Sequence, residues 1–289
     1  MTTRAGVALV VLFGMLGLGA YGYWQGTSQD VVGAVRAGDV VAVKKALARD
    51  PAVAHIKVYP QAFERQSQRV EYEQRTGRSP WEGKYLIHEA AGRVVDPVPM
   101  LQALADGGAD LTVRLNGRTL LHLAARDGNL EVATWLLDHG ADVHAVNDCV
   151  DSCDERGQTP LHDGLTIRDD EMSVLLLERG APVGALAASG RSALHVTGER
   201  GRLSGAFVLC RYGADPALTD AAGKTPYDLA LVSASGRASN EARPEDAQQL
   251  IQWLKPAGGC AIVAASARRA GSPVSDDDAR KVFGETVAR

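Results

Sequence analysis

The stretch that decides the fold runs from Thr119 to Asp142 and reads TLLHLAARDGNLEVATWLLDHGAD. It contains two short helical patterns, which we predict over residues 120–126 and 130–139, separated by a Gly-Asn pair. Thr119 is a candidate N-cap for the first helix, and Gly140 is suited to end the second in the left-handed conformation. Each helix has one apolar face, so the pair needs neighbours to bury it.

The same pattern recurs along the chain. Four segments, YLIH, TLLH, TPLH and SALH, place a histidine at successive spacings of 34, 40 and 33 residues: His88, His122, His162 and His195. A Gly-Ala pair follows each of the last three histidines by 18 residues, and a fifth, degenerate copy begins at Thr225. Two markers in phase identify an internal repeat. A single unit cannot bury its apolar faces, so successive units should stack into a solenoid.

This repeat resembles the ankyrin repeat. The resemblance rests on the Thr-Pro-Leu-His motif, the Ala-Ala pair that follows it, the glycine before the second helix and the Gly-Ala-Asp that leads into a hairpin. It implies an all-α ankyrin-repeat solenoid of helix-turn-helix units with hairpin loops over residues 84–255. A divergent capping repeat over residues 30–58 extends the array, and residues 256–289 form a C-terminal tail that either packs on the last repeat or extends from it. For function, the resemblance implies a scaffold that binds a protein partner.

The N-terminus indicates where the protein resides. Residues 5–24 contain no charged side chain, and 20 helical residues span about 30 Å, the thickness of the hydrocarbon core of a bilayer. A basic residue precedes this run and three aromatic residues close it, which favours a cytoplasmic N-terminus and an exported body. We therefore predict that residues 1–24 are a single-pass transmembrane anchor in the inner membrane of a bacterium, with the body in the periplasm. A cleaved signal peptide, leaving a soluble periplasmic protein, is the alternative.

Charge and motifs exclude several function classes. The chain has 31 Lys and Arg against 35 Asp and Glu, a net charge of −4, so there is no excess of positive charge to hold a nucleic-acid backbone. No Gly-rich phosphate loop or nucleophile elbow is present, and we expect no cofactor, no metal and no small-molecule substrate. The motif histidines should lie about 10 Å apart in stacked repeats, too far to share a metal ion, so we expect them to bond to the backbone.

The four cysteines allow several interpretations. In an oxidising compartment Cys149 and Cys153 could close a small disulfide loop, which is our prediction. Two thiols also supply half of a zinc site, and two free thiols in a polar loop are the remaining alternative. Cys210 falls on the apolar face of a predicted helix, and we expect it in the core.

The longest departure from the repeat is the insertion at residues 59–83. It mixes arginines and glutamates with aromatic side chains of the kind that is enriched at interface hot spots. We predict that it binds the partner; a helical loop lying on the array is the equally weighted alternative. The candidate binding residues in it are Phe63, Arg65, Arg69, Tyr72 and Trp81.

A second departure is the segment Cys149–Arg156, which accounts for a histidine spacing of 40 residues, seven more than the next spacing of 33. Asp151 and Asp154 make it acidic, which would suit a basic partner surface, although a solvated loop is the plainer alternative. The residue after each hairpin glycine has a side chain that donates hydrogen bonds: Arg118, Gln158, Arg191 and Lys224. One edge of the array should therefore carry a row of donors, which either bind a partner or keep the surface soluble. Arg118, Arg156 and Arg191 complete the predicted binding set.

We therefore expect a non-catalytic, membrane-anchored protein–protein interaction scaffold. A narrower expectation is an immunity-type inhibitor that neutralises a toxin arriving in the same compartment, because exported bacterial ankyrin-like proteins resemble such inhibitors in design. The alternative is a hydrolase or thiol-redox enzyme that uses Cys149, Cys153 and the acidic loop, and no catalytic motif surrounds these residues.

Overall fold

The computed structural model describes residues 30–58, 84–93, 95–149, 156–167, 170–235 and 244–287. The chain divides into two compact units, one ending at Val113 and one beginning at Arg114. None of the helices in the described ranges is long and apolar enough to cross a membrane. The predicted span at residues 5–24 and the insertion at residues 59–83 lie outside those ranges.

The first unit contains two helix pairs with a small antiparallel sheet between them in the chain. In order, its elements are a helix at residues 30–36, the helix Val40–Arg49, a 3₁₀ turn Pro51–His55, the paired strands Lys57–Val58 and Lys84–Tyr85, and the helices Leu86–Arg93 and Pro97–Asp106. Asp39 begins the second helix, since its Oδ1 accepts the amide hydrogen of Ala42 at 2.9 Å. Leu47 packs against the backbone of Gly107 and joins the two pairs. We call the second pair the first repeat.

The second unit contains four more helix pairs, which we number as the second to the fifth repeat. The pairs are Leu120–Asp127 with Leu130–Asp138, Pro160–Gly164 with Glu171–Glu178, Ala193–Arg200 with Leu203–Arg211, and Pro226–Ala234 with Pro244–Leu254. A hairpin of the strands Arg114–Leu115 and Arg118–Thr119 precedes them. The two helices predicted in the second repeat match within one residue at their ends, and Gly140 is left-handed with φ 82° as predicted.

The repeats of this unit stack in register. First helices lie beside first helices, as Leu120–Asp127 does on Pro160–Gly164 and Ala193–Arg200 on Pro226–Ala234. Second helices lie beside second helices, with Glu171–Glu178 between its two neighbours. Leucines and alanines of both rows are buried, which supplies the core that no single repeat has. Within this unit the arrangement is the predicted helical solenoid.

Two further helices, Gly259–Ala270 and Asp276–Val287, follow the fifth repeat. This C-terminal helix pair packs on the second helices of the fourth and fifth repeats, where the rings of Phe207, Trp253 and Phe283 meet at centroid distances of 5.3–5.8 Å. Of the two arrangements that the sequence left open for the tail, the packed one is found.

The cysteines differ from expectation in one respect. Cys210 is fully buried, as predicted for a core residue, but it is bonded to Cys260 in a disulfide that joins positions 50 residues apart. The sequence analysis missed this bond because only the stacking of the C-terminal helix pair on the fourth repeat brings the two sulfur atoms together. The predicted Cys149–Cys153 bond involves Cys153, which lies outside the described residues.

Candidate interaction surface

Three of the four motif histidines, those of the second to fourth repeats, join one repeat to the next. The amide nitrogen of Thr119 donates to Nδ1 of His122 at 3.3 Å, so the ring proton is on Nε2, which donates to the carbonyl oxygen of Gln158 at 3.0 Å. His162 and His195 repeat this geometry. Their Nε2 atoms donate to the carbonyl oxygens of Arg191 and Lys224, at 3.2 and 3.0 Å respectively. The prediction that these histidines bond to the backbone is confirmed for all three.

Burial keeps these rings neutral. Desolvation lowers the pKa of His122 and of His162 to about 4, and burial also lowers the pKa of His195. A neutral ring with its donor and its acceptor both engaged is a fixed structural crosslink at pH 7. These buried polar groups therefore set the spacing of the repeats.

Arg118 forms a buried ion pair instead of an exposed donor. Its Nε lies 3.3 Å from Oδ2 of Asp163, and the two side chains are 8% and 3% exposed. The predicted row of exposed donors is therefore wrong at this position, because the first helix of the third repeat brings a carboxylate against the hairpin and draws the guanidinium inward. Of the other residues in the predicted row of donors, Gln158 is half-buried and Lys224 is exposed.

The other predicted binding residues are placed as follows. Arg191 is half-buried between Glu199 and Asp220, at 3.0 and 3.7 Å. Arg156 is exposed. The remaining residues of the predicted set lie outside the described ranges: Phe63, Arg65, Arg69, Tyr72, Trp81, Asp151 and Asp154.

Among the described residues, the hairpins that connect the second to the fifth repeat form three fingers. The first comprises residues 142–149 with 156–158, the second residues 182–191 and the third residues 215–224. Backbone hydrogen bonds join neighbouring fingers: the amide of Ala188 donates to Arg156 at 2.8 Å and that of Ala221 donates to Ser189 at 2.9 Å. The fingers are therefore tied to one another as well as to the helices.

Two exposed apolar side chains occupy equivalent positions on the first and second fingers. Val146 and Leu186 each follow their motif histidine by 24 residues, and they are 47% and 49% exposed. The residues next to them, Asn147 and Ala187, are buried, so the two exposed side chains point away from the core. Both lie near the helix end of their finger, since Leu186 pairs with Ser192 and Asn147 is bonded to Gln158. We call Val146 and Leu186 the exposed apolar pair. Neither was predicted from the sequence, although their equal distance from the repeat marker was a usable signal.

Comparison with known proteins agrees with this geometry. Residues 116–148, which span the second repeat and its hairpins, match the family model described as ankyrin repeat. Over these residues the chain is similar to an ankyrin repeat. The resemblance read from the sequence motif is confirmed here, and ankyrin repeats imply a scaffold for protein–protein interaction.

Three mammalian proteins show the extent of the likeness. The mouse B-cell lymphoma 3 protein homolog is 37% identical over 158 residues, which cover 50% of this chain and 34% of that protein. Mouse ankyrin repeat domain-containing protein 63 is 35% identical over 131 residues, which cover 44% of this chain and 32% of that protein. Human ankyrin repeat and SOCS box protein 16 is 30% identical over 146 residues, which cover 50% of this chain and 31% of that protein. The chain thus spans about a third of the length of these relatives, and their sources do not support the predicted bacterial origin.

Proposed function

We propose that the chain is a non-catalytic scaffold that binds a protein partner through its fingers, and that it is held at a membrane by residues 5–24. The observation that carries the binding role is the exposed apolar pair, two side chains at the same position of consecutive, hydrogen-bonded fingers. Burying exposed apolar surface in an interface is favourable.

Rigidity supports this role. The polar residues buried between the repeats, such as His122, His162 and Asp163, are bonded to the neighbouring repeat. The fingers are thereby fixed before any partner arrives, and a preorganised surface loses little conformational entropy on binding. Arg156, exposed on the first finger, adds a guanidinium that can donate two hydrogen bonds to a carboxylate of a partner.

The test is capture of a crosslinked partner from membranes with the full-length chain. Val146→Asp combined with Leu186→Asp places two charges on the exposed apolar pair, and we expect it to abolish capture. The matched control is Ile262→Asp, which alters a side chain that is 51% exposed on the C-terminal helix pair. Equal recovery of one specific partner by both variants would show that the exposed apolar pair does not bind it.

The compartment is a separate part of the proposal. A disulfide between Cys210 and Cys260 is favoured outside the reducing cytosol, in agreement with the exported body that residues 5–24 indicate. N-terminal sequencing of the membrane-recovered protein distinguishes an anchor from a cleaved signal peptide. Protease added to sealed vesicles of known orientation should digest the repeats only from the non-cytoplasmic side; digestion from the cytoplasmic side would refute export.

The narrower proposal is an immunity-type inhibitor of a toxin that reaches the same compartment. Support for it comes from the export pattern together with a preformed binding surface. It predicts that the chain protects cells from the product of an adjacent toxin gene, and that the Val146→Asp/Leu186→Asp variant does not. Protection that survives deletion of residues 1–24 would contradict a role outside the cytoplasm.

A further inference from the structure

The Cys210–Cys260 disulfide encloses the last repeat in a covalent loop. Cys210 belongs to the second helix of the fourth repeat, and Cys260 belongs to the first turn of Gly259–Ala270. Both helices of the fifth repeat lie between them in the chain. The two cysteines are fully buried, so the bond is a covalent part of the packed end of the array.

Polar contacts join the same two regions. Arg211 donates through Nε to the carbonyl oxygen of Val274 at 3.0 Å, and its Nη1 lies 3.1 Å from Oδ1 of Asp276. Arg268 donates to the carbonyl oxygen of Gly213 at 2.8 Å. Three independent links thus hold the C-terminal helix pair on the fourth repeat, and only the disulfide is covalent.

The disulfide restrains the fifth repeat through its two neighbours. A stacked repeat is stabilised by its interfaces with the elements beside it, which for the fifth repeat are the fourth repeat and the C-terminal helix pair. Local opening of such elements takes less free energy than global unfolding. A crosslink whose loop contains the fifth repeat restricts this open state, and the restriction grows with the length of the closed loop.

We propose that the Cys210–Cys260 disulfide is an oxidation-dependent lock on the fifth repeat and the C-terminal helix pair. A dithiol reductant opens the lock: it transfers two electrons to the disulfide and becomes a disulfide itself, and each cysteine sulfur takes up a proton. The fifth repeat and the helix pair then open independently of the second repeat. The lock concerns the stability of the array, so it does not depend on which partner the fingers bind.

The test is hydrogen exchange of the purified chain measured by mass spectrometry, with and without dithiothreitol. Cys149→Ser and Cys153→Ser are introduced so that Cys210 and Cys260 are the only cysteines. On reduction we expect amides in Pro226–Ala234, Pro244–Leu254 and Gly259–Ala270 to exchange about 30- to 1,000-fold faster, the factor that a disulfide's usual contribution implies. Amides in Leu120–Asp127 and Leu130–Asp138 should be unchanged.

A further substitution in the same background, Cys260→Ser, provides an independent readout. It should show the fast exchange of the C-terminal segments without reductant and should not respond when reductant is added. The lock is refuted if reduction leaves exchange unchanged, or if it accelerates the second repeat as much as the fifth. Free thiols in the unreduced, denatured chain would refute it directly by showing that the bond is absent.

Discussion

His162 joins two repeats through one neutral ring: Nδ1 accepts the amide hydrogen of Thr159 at 3.1 Å, and Nε2 donates to the carbonyl oxygen of Arg191 at 3.2 Å. The first bond fixes the start of a helix in the third repeat. The second fixes the finger that leads into the fourth repeat. Because both nitrogens are engaged in this way only in the neutral ring, the connection between repeats depends on the protonation state of the ring.

Acid should therefore weaken the array. In the unfolded chain a histidine titrates near pH 6.5, whereas burial holds the pKa of His122 and His162 at about 4 in the folded chain. Between these values the unfolded chain binds protons that the folded chain does not, so the free energy of unfolding falls as the pH falls. The slope is about 1.4 kcal/mol per pH unit for each histidine, and the stabilisation is complete above pH 6.5.

Urea unfolding at a series of pH values between 7 and 5 measures this slope. His162→Gln removes one titrating group, so the variant should be less stable at pH 7 but should lose less stability on acidification. A variant with the wild-type slope would show that His162 does not couple folding to pH.

The glycines of the fingers allow a matched comparison. Gly190 and Gly223 have almost the same backbone, with φ 73° and 71°, but a Cβ on Gly190 would lie 2.8 Å from the amide nitrogen of Ala221, whereas a Cβ on Gly223 would have no neighbour within 4 Å. Gly223→Ala should cost about 1 kcal/mol for the left-handed backbone alone. Gly190→Ala should cost a further 1–3 kcal/mol, roughly, because neighbouring fingers must separate.

Chemical denaturation of both variants tests this difference. Equal losses of stability would show that the contact between the second and third fingers relaxes freely.

The sequence predicts what is local and repeated in this structure. The cap at Thr119, the helix ends and the bonding role of His122 follow from short-range patterns, since each depends on residues within one repeat or its neighbour. The Arg118–Asp163 pair and the Cys210–Cys260 bond join positions 45 and 50 residues apart. No periodic signal encodes such pairs; they depend on the stacking register and on which side of each helix faces the next element.

Two adjacent leucines of the second repeat differ in burial, so their substitutions should differ in their effect on stability. Leu136 is 1% exposed in the core, whereas Leu137, next to it on the helix Leu130–Asp138, is only partly buried. Leu136→Ala should lower the free energy of unfolding by about 2–5 kcal/mol, because it leaves a cavity between stacked repeats. Leu137→Ala should cost less than about 1.5 kcal/mol, since its contacts are made partly with water. Thermal or urea unfolding of the two variants compares them, and a reversed order would contradict the packing described for the second repeat.

Two ion pairs with similar chemistry should also differ in their contribution to stability, because one is buried and the other is exposed. The Arg118–Asp163 pair is buried at 8% and 3% exposure, and the Arg179–Asp138 pair on the second helices is 36% and 56% exposed, although its atoms are closer, at 2.8 Å against 3.3 Å. Asp163→Ala removes a carboxylate from beside a buried guanidinium and should cost about 3–5 kcal/mol. Asp138→Ala should cost less than about 1 kcal/mol, because solvent screens the exposed pair.

A double-mutant cycle with Arg118→Met and Asp163→Leu separates the pair from the cost of leaving one charge alone. We expect the double variant to be more stable than Asp163→Ala, since apolar side chains of similar size can fill the site without a buried charge. If the double variant were less stable than both single variants, Arg118→Met and Asp163→Leu, the ion pair itself would be the main contribution to stability at this junction. In that case the hairpin that contains Arg118 would depend on the pair for its position against the third repeat.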